Sequence, residues 1–250
     1  MEPAAMIEAL VGCAEAIDHA VAKVTDWRAK GDRPGQYRID IAADEVGVNY
    51  LTDRGFAVLS EESGVHCVDR ELFAVIDPID GSTNASRNLP WYATSICVLD
   101  GEGPLAALVI NQASKVRYQA VRGGGAFRDG TRISPSPTEQ LSRAIVGLSG
   151  YPEQYLGWSQ YRALGAIALD LCAVAEGSLD AYLDCGRNSH GPWDYLAGMF
   201  ICQEAGAIVI DVDGRELVTR DYEGRRSPVA AGTEVLAQEL QSAFLRVVKS

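Results

Sequence analysis

No two of the six cysteines form a C-x-x-C pair: Cys13, Cys67, Cys97, Cys172, Cys185 and Cys202 are scattered, most of them inside apolar segments. That spacing argues against a zinc site and a disulfide framework and leaves buried, reduced thiols as the expectation. Uninterrupted apolar stretches long enough to cross a bilayer are missing. The segment Met1-Glu2-Pro3-Ala4-Ala5 has neither the basic region nor the apolar core of an export signal. The chain is therefore expected in the cytoplasm, away from membranes. Positive charge is short as well. Lys and Arg number 22 against 34 Asp and Glu, a formal net charge of −12, which argues against a nucleic-acid or acidic-lipid surface. Repeats, low-complexity tracts and long linkers are absent. What is present, 250 residues of which 47% are hydrophobic and 22% charged, suffices to bury a large core as one compact unit.

The chemistry-bearing residues are concentrated in Asp77-Pro78-Ile79-Asp80-Gly81-Ser82-Thr83-Asn84, which directly follows the apolar run Leu72-Phe73-Ala74-Val75-Ile76. The run predicts a buried strand that delivers Asp77 at its carboxyl end. Pro78 then holds a turn, and Gly81-Ser82-Thr83-Asn84 has the composition of a helix start. Unpaired N–H groups and the helix dipole make such a start an anion site, suited to a phosphate. Two hard oxygen anions beside it call for Mg²⁺. Asp-Pro-x-Asp alone would read as a turn that caps a helix; the complete eight-residue string favours the metal reading. Net charge points the same way. An acidic protein repels a phosphate ester unless bound cations reverse the local field.

The rest of the chain supplies the scaffold. Ile7, Leu10, Val11, Ala14, Ile17, Val21 and Val24 recur at helical spacing, which predicts an amphipathic helix over 3–27 that ends near Lys30-Gly31. A second helix is expected over 40–54, and a strand over 56–60 leads into Glu61-Glu62-Ser63-Gly64. From Thr94 to Ile133, β-type runs separated by Gly101-Glu102-Gly103-Pro104, Gly123-Gly124-Gly125 and Asp129-Gly130 predict an antiparallel meander. Beyond Pro135-Ser136-Pro137 the expected order is helix 164–175, strand 179–183, a helix from Trp193-Asp194 to about Ala205, strand 207–211, a strand near 228–231 and a closing helix. The alternation implies a layered α/β sandwich in two halves, 1–135 with the metal and phosphate motif and 136–250 completing the site.

Three blocks, Glu61-Glu62-Ser63-Gly64, the Asp77–Asn84 string, and Trp193-Asp194-Tyr195-Leu196-Ala197-Gly198 with Glu204-Ala205-Gly206, resemble in that order the inositol monophosphatase family of Mg²⁺-dependent, lithium-sensitive phosphatases. The resemblance spans nearly the whole chain. It implies an αβαβα sandwich, a homodimer, and two or three Mg²⁺ ions held by Glu61, Asp77, Asp80, Asp194 and the carbonyl of Ile79. It also implies that Glu61 and Ser82 orient the attacking water, with Ser82 where the family usually has threonine. Backbone N–H groups of Gly81 and Ser82, with Thr83, are expected to cradle the phosphate. A third, weaker ion depends on an aspartate upstream, where Asp40 fits by distance to Glu61 and Asp44 is the alternative. Glu62 is expected beside the ligands rather than among them. In the 184–192 loop Asp184 matches an acidic residue that meets the substrate's alcohol portion, with Arg187 or His190 as further contacts; Arg162 could meet a second anionic group or a surface carboxylate.

The activity these residues imply is hydrolysis of a small polyol or sugar phosphate by metal-activated water, with no covalent phosphoenzyme, and myo-inositol monophosphate leads. Fructose 1,6-bisphosphate, histidinol phosphate and a 3′-phosphorylated adenosine nucleotide stay open, because the shared motifs bind only metal and phosphate. The alternative of another class is a catalytically silent metal- and phosphate-binding regulatory protein; the intact Glu61 carboxylate and Ser82 hydroxyl weigh against it.

Overall fold

The structure is a computed structural model that describes residues 2–248. In chain order its elements begin with helices α1 (Pro3–Val21) and α2 (Arg38–Asp53), then strands β1 (Ala57–Ser60), β2 (Gly64–His66) and β3 (Phe73–Asp80), and the short helix α3 (Ser82–Ser86). A meander follows: β4 (Ala93–Asp100), β5 (Gly103–Asn111), β6 (Arg117–Val121), β7 (Gly125–Arg128) and β8 (Thr131–Arg132). The second half contributes β9 (Ile145–Ser149), β10 (Gln160–Arg162), α4 (Ile167–Ala175), β11 (Ala181–Asp184), α5 (Pro192–Ala205), β12 (Ile208–Asp211), β13 (Pro228–Ala231) and α6 (Glu234–Val248).

The strands form two sheets, of order β2-β1-β3-β4-β5-β6-β7-β8 and β10-β9-β11-β13-β12. In the larger sheet, alternate residues feed opposite cores, as a period of two requires. Val58, Ala74, Ile76, Ile96, Val98 and Leu108 pack under α1 and α2. Leu59, Phe73, Val75, Cys97, Leu99 and Val109 face α4 and α5. The smaller sheet lies on the other side of α4 and α5, and its outer face is covered by α6 through Leu236, Ala237, Leu240 and Phe244. Helix pair, sheet, helix pair, sheet, helix is the αβαβα sandwich. Both central helices are apolar nearly all round, because each meets a sheet on either side. They also touch closely: a Cβ on Gly198 would lie 2.7 Å from the Leu171 Cβ, so only glycine fits there.

Glu204, at the end of α5, stitches this layer to the meander. Its two oxygens accept the N–H groups of Gly123 at 2.9 Å and Gly125 at 2.8 Å. Glu204→Ala is expected to cost about 1–2 kcal/mol, read as a lower urea midpoint.

Some elements differ from the sequence reading. The first helix stops at Val21, short of 27. Val24 and Trp27 still pack against the core, but from a loop in which the Asp26 carboxylate accepts the Arg28 N–H at 2.9 Å. Asp26 thus closes a local turn that competes with helix. β2, β9 and β10 were not expected; the first and last have three residues each, too few for a periodic signal. β3 continues through Pro78 to Asp80 with a register shift between Asp77 and Asp80 instead of turning at Pro78. Cys13, Cys97, Cys172 and Cys202 are buried thiols, whereas Cys185 is half-buried and Cys67 exposed. Among the described residues no helix is long and apolar enough to cross a membrane.

Candidate active site

The larger sheet carries the first ligand candidates to one edge of the central helix layer. Asp77 sits where β3 kinks. Its Oδ1 accepts the N–H of Ile79 at 2.9 Å, and the Pro78 carbonyl accepts the Thr94 hydroxyl at 2.9 Å. This local closure lets Pro78 occupy a strand that a proline would otherwise disrupt. Asp80, three residues on, turns to the neighbouring layer, where its Oδ2 accepts the Ala168 N–H in the first turn of α4 at 2.7 Å. Gly81 then reverses the chain with φ of +82°; a Cβ there would meet the Trp91 carbonyl and the Ala166 Cβ at 3.0 Å, so both conformation and space demand glycine. Asn84 locks the approach by donating to the carbonyls of Trp91 and Leu164. Ser82 and Thr83 open α3, with Thr83 exposed.

Asp194 comes from the other half. Pro192 occupies the first turn of α5, and the Asp194 Oδ2 accepts the Gly191 N–H at 2.7 Å, so the carboxylate is fixed in direction by the helix start. Glu61 follows β1. Oxygens of Glu61, Asp77 and Asp194 lie within 4.8 Å of one another. Three segments distant in sequence therefore converge on one small volume.

Asp40 and Asp44 sit a turn apart on α2 and have different neighbours. Asp44 accepts the Ser60 hydroxyl. Asp40 is 4% exposed; its Oδ2 accepts the Tyr37 N–H at 2.7 Å, its Oδ1 has no hydrogen-bond partner, and its electrostatic neighbours are Glu62 and Ser82. Only Asp40 joins Glu61 and Ser82 in lining a cavity of about 470 Å³, whose rim includes Arg33, Glu62 and Tyr222. Glu62 is held by Arg33 and Gln36 from the loop between α1 and α2.

The electrostatics are those of a crowded anion site. Burial, then the neighbouring Asp194 and Glu62, pushes Glu61 up to about 8. Burial pushes Asp40 up to about 7. Asp77 and Asp80 are raised well above the ordinary carboxylate range by burial and by their fellow carboxylates. Such self-repulsion is tolerated where a function requires it. The donor set fits hard divalent cations: carboxylate oxygens of Glu61, Asp77 and Asp194 converge from separate segments, and the Asp40 Oδ1 on the same cavity as Glu61 is buried without a hydrogen-bond partner.

Four candidate substrate contacts have partners of their own within the protein. Asp184, expected at the substrate's alcohol portion, is wholly buried. Both its oxygens accept the Ser189 hydroxyl at 2.9 Å and Oδ1 also takes the Gly186 N–H at 2.8 Å, so it braces its own loop. Arg187 turns to Asp213 at 2.9 Å. Arg162 donates to Tyr161 and Gln160 on its own strand instead of meeting an acid. His190 has more neighbours than a solvated loop histidine. Its Nδ1 is 3.5 Å from Asp194 and its Nε2 is 3.7 Å from Asp184. Burial alone would depress its pKa, but these carboxylates outweigh burial and raise it. The motifs gave no sign of Arg33 or Tyr222, which sit in irregular segments.

Comparison with known proteins decides what these blocks belong to. The model of the inositol monophosphatase family matches residues 5–248. The chain belongs to the inositol monophosphatase family. Among its relatives is an inositol-1-monophosphatase of Mesorhizobium japonicum, 30% identical over 98% of this chain and 94% of that one. A fructose-1,6-bisphosphatase of Pyrococcus furiosus is 31% identical over 82% of this chain and 81% of the other. A solved Pyrococcus horikoshii structure, described as having similarities to inositol-1 monophosphatase, superposes with a TM-score of 0.87 at 26% identity, covering 97% of this chain and 99% of that one. Membership makes the chain a phosphoric monoester hydrolase acting on small phosphorylated substrates, in a family that is generally metal-dependent.

Proposed function

We propose that this inositol monophosphatase family member is a Mg²⁺-dependent phosphomonoesterase whose leading substrate is myo-inositol monophosphate. The convergence of Glu61, Asp77 and Asp194 is the observation that carries the reading. Glu61, Asp77, Asp80, Asp194 and the Ile79 carbonyl would hold two ions, with Asp40 serving a third. When bound, the ions supply Lewis-acid stabilisation of charge on the attacking and leaving oxygens.

The remaining steps belong to the chain's own groups. Gly81, Ser82 and Thr83 present N–H and hydroxyl donors to the phosphate at the opening of α3. The Ser82 hydroxyl, a neighbour of the Asp40 carboxylate, orients the attacking water together with Glu61. Ser82 lacks the β-methyl that would restrict a threonine rotamer. No side chain is required as a covalent nucleophile.

The likeness to both a fructose-1,6-bisphosphatase and an inositol-1-monophosphatase keeps the sugar bisphosphate as the alternative substrate. Phosphate release from inositol 1-phosphate, fructose 1,6-bisphosphate, histidinol phosphate and 3′-phosphoadenosine 5′-phosphate, each with Mg²⁺ and with chelator, ranks them. The highest kcat/KM is expected for inositol 1-phosphate, lost with chelator; no release from any ester would favour the silent, binding-only reading. Light scattering reads the homodimer expected from the family likeness.

A further inference from the structure

The connection of residues 212–227 between β12 and β13 holds no helix or strand, yet it is pinned against the site at three points. Long irregular connections inside a compact fold are commonly functional. The Tyr222 hydroxyl donates to the Glu61 carbonyl at 3.0 Å. The Tyr222 ring lies 5.2 Å, centroid to centroid, from that of Trp193, the residue before Asp194. Arg225 donates through Nη1 to the Tyr222 carbonyl at 2.7 Å and places its guanidinium 5.0 Å from the Trp193 ring. The Tyr222 oxygen also neighbours the Arg33 guanidinium, which pairs with Glu62.

We propose that Tyr222 is a positioning residue for the carboxylate cluster, tying the backbone of Glu61 to the first turn of α5 through one hydroxyl and one ring. Glu61 stands one residue past the end of β1, where the chain enters a turn: its N–H still reaches the Ile76 carbonyl at 3.3 Å, while its own carbonyl is held by Tyr222. Asp194 is anchored by its own helix. Tyr222 bridges the two, so the separation of their carboxylates is set by a residue that contributes no ligand. Partners of this kind, one step removed from the ligands, govern how well a site is pre-formed for its ion. The half-buried position of Tyr222 leaves its ring contacts intact when only the hydroxyl is removed.

The inference rests on the metal-site reading above, and calorimetric titration of Mn²⁺ into the metal-free protein separates the two. Wild type is expected to bind; no binding would overturn the site reading and this inference together. Tyr222→Phe keeps the ring on Trp193 and is expected to weaken Mn²⁺ binding about tenfold, with the far-ultraviolet circular dichroism unchanged. Binding equal to wild type, with or without a lower melting temperature, would overturn the inference alone and leave Tyr222 a purely structural residue. Should Tyr222→Phe fail to fold, Arg225→Met carries the same test, because it releases the Tyr222 carbonyl while sparing the hydroxyl. A weaker Mn²⁺ affinity is expected there too, and an unchanged one would overturn the inference.

Discussion

Asp77→Asn is expected to lower phosphate release by on the order of 10²–10³-fold while raising the melting temperature of the metal-free protein at pH 8. The two effects have one cause. Asp77 is 2% exposed, and its carboxyl is held well above the ordinary range by burial, then by Glu61, Asp80 and Asp194. Placing a negative charge there is costly to the fold and useful only to a cation. Asparagine has nearly the same shape, and its Oδ1 can keep the Ile79 N–H bond that Asp77 accepts at 2.9 Å. Removing the charge therefore relieves repulsion without opening a cavity, and the new Nδ2 donor has carboxylate oxygens of Glu61 and Asp194 as acceptors nearby. A variant that loses activity and also melts lower would show instead that Asp77 works through the kink in β3. Thermal melts of the two proteins in chelator, beside a phosphate assay in Mg²⁺, decide between these outcomes.

The second large effect is on stability against pH. Glu61 is raised from 4.5 to about 8 and Asp40 from 3.8 to about 7, while buried Asp170, whose carboxylate accepts the Trp91 indole N–H, also rises to about 7. The folded state thus binds these protons more tightly than the unfolded chain does. Stability falls wherever the folded state holds the larger share, so the metal-free protein is expected to lose stability as pH climbs from about 5 to 8. At about 1.4 kcal/mol per pKa unit, each such shift corresponds to a few kcal/mol. A cation that binds only the folded, deprotonated cluster reverses the trend. Saturating Mg²⁺ at a hundred times its dissociation constant would add about 2.7 kcal/mol, and the gain in melting temperature is expected to widen from pH 5 to pH 8. A Mg²⁺ increment independent of pH would contradict the assignment of the ions to these carboxylates.

The parts of the site that could be read in the chain are those whose chemistry demands a local string. Asp77 to Asn84 is legible because two carboxylates, a left-handed glycine and a helix opening follow one another without insertion. Asp194 is legible through Trp193 and the helix start it shares. The layers were readable because β3, β4 and β5 are apolar on both faces and α5 is apolar all round, patterns that only burial between layers produces. Tyr222 and Arg33 were not legible. Each sits among polar residues of an irregular segment, and its role arises from where the loop crosses Glu61 and Glu62 in space. Asp184 shows the converse: nothing in the chain signals that Ser189 and Gly186 take up the oxygens of an acid that heads a polar segment.

The measurement that bears most directly on the central claim, that the carboxylate cluster is a divalent-cation site, is anomalous diffraction from crystals equilibrated with Mn²⁺. The account predicts anomalous peaks in contact with oxygens of Glu61, Asp77 and Asp194, the same oxygens that converge within 4.8 Å. An empty cluster at Mn²⁺ concentrations that support phosphate release, with the ion bound elsewhere or not at all, would contradict it.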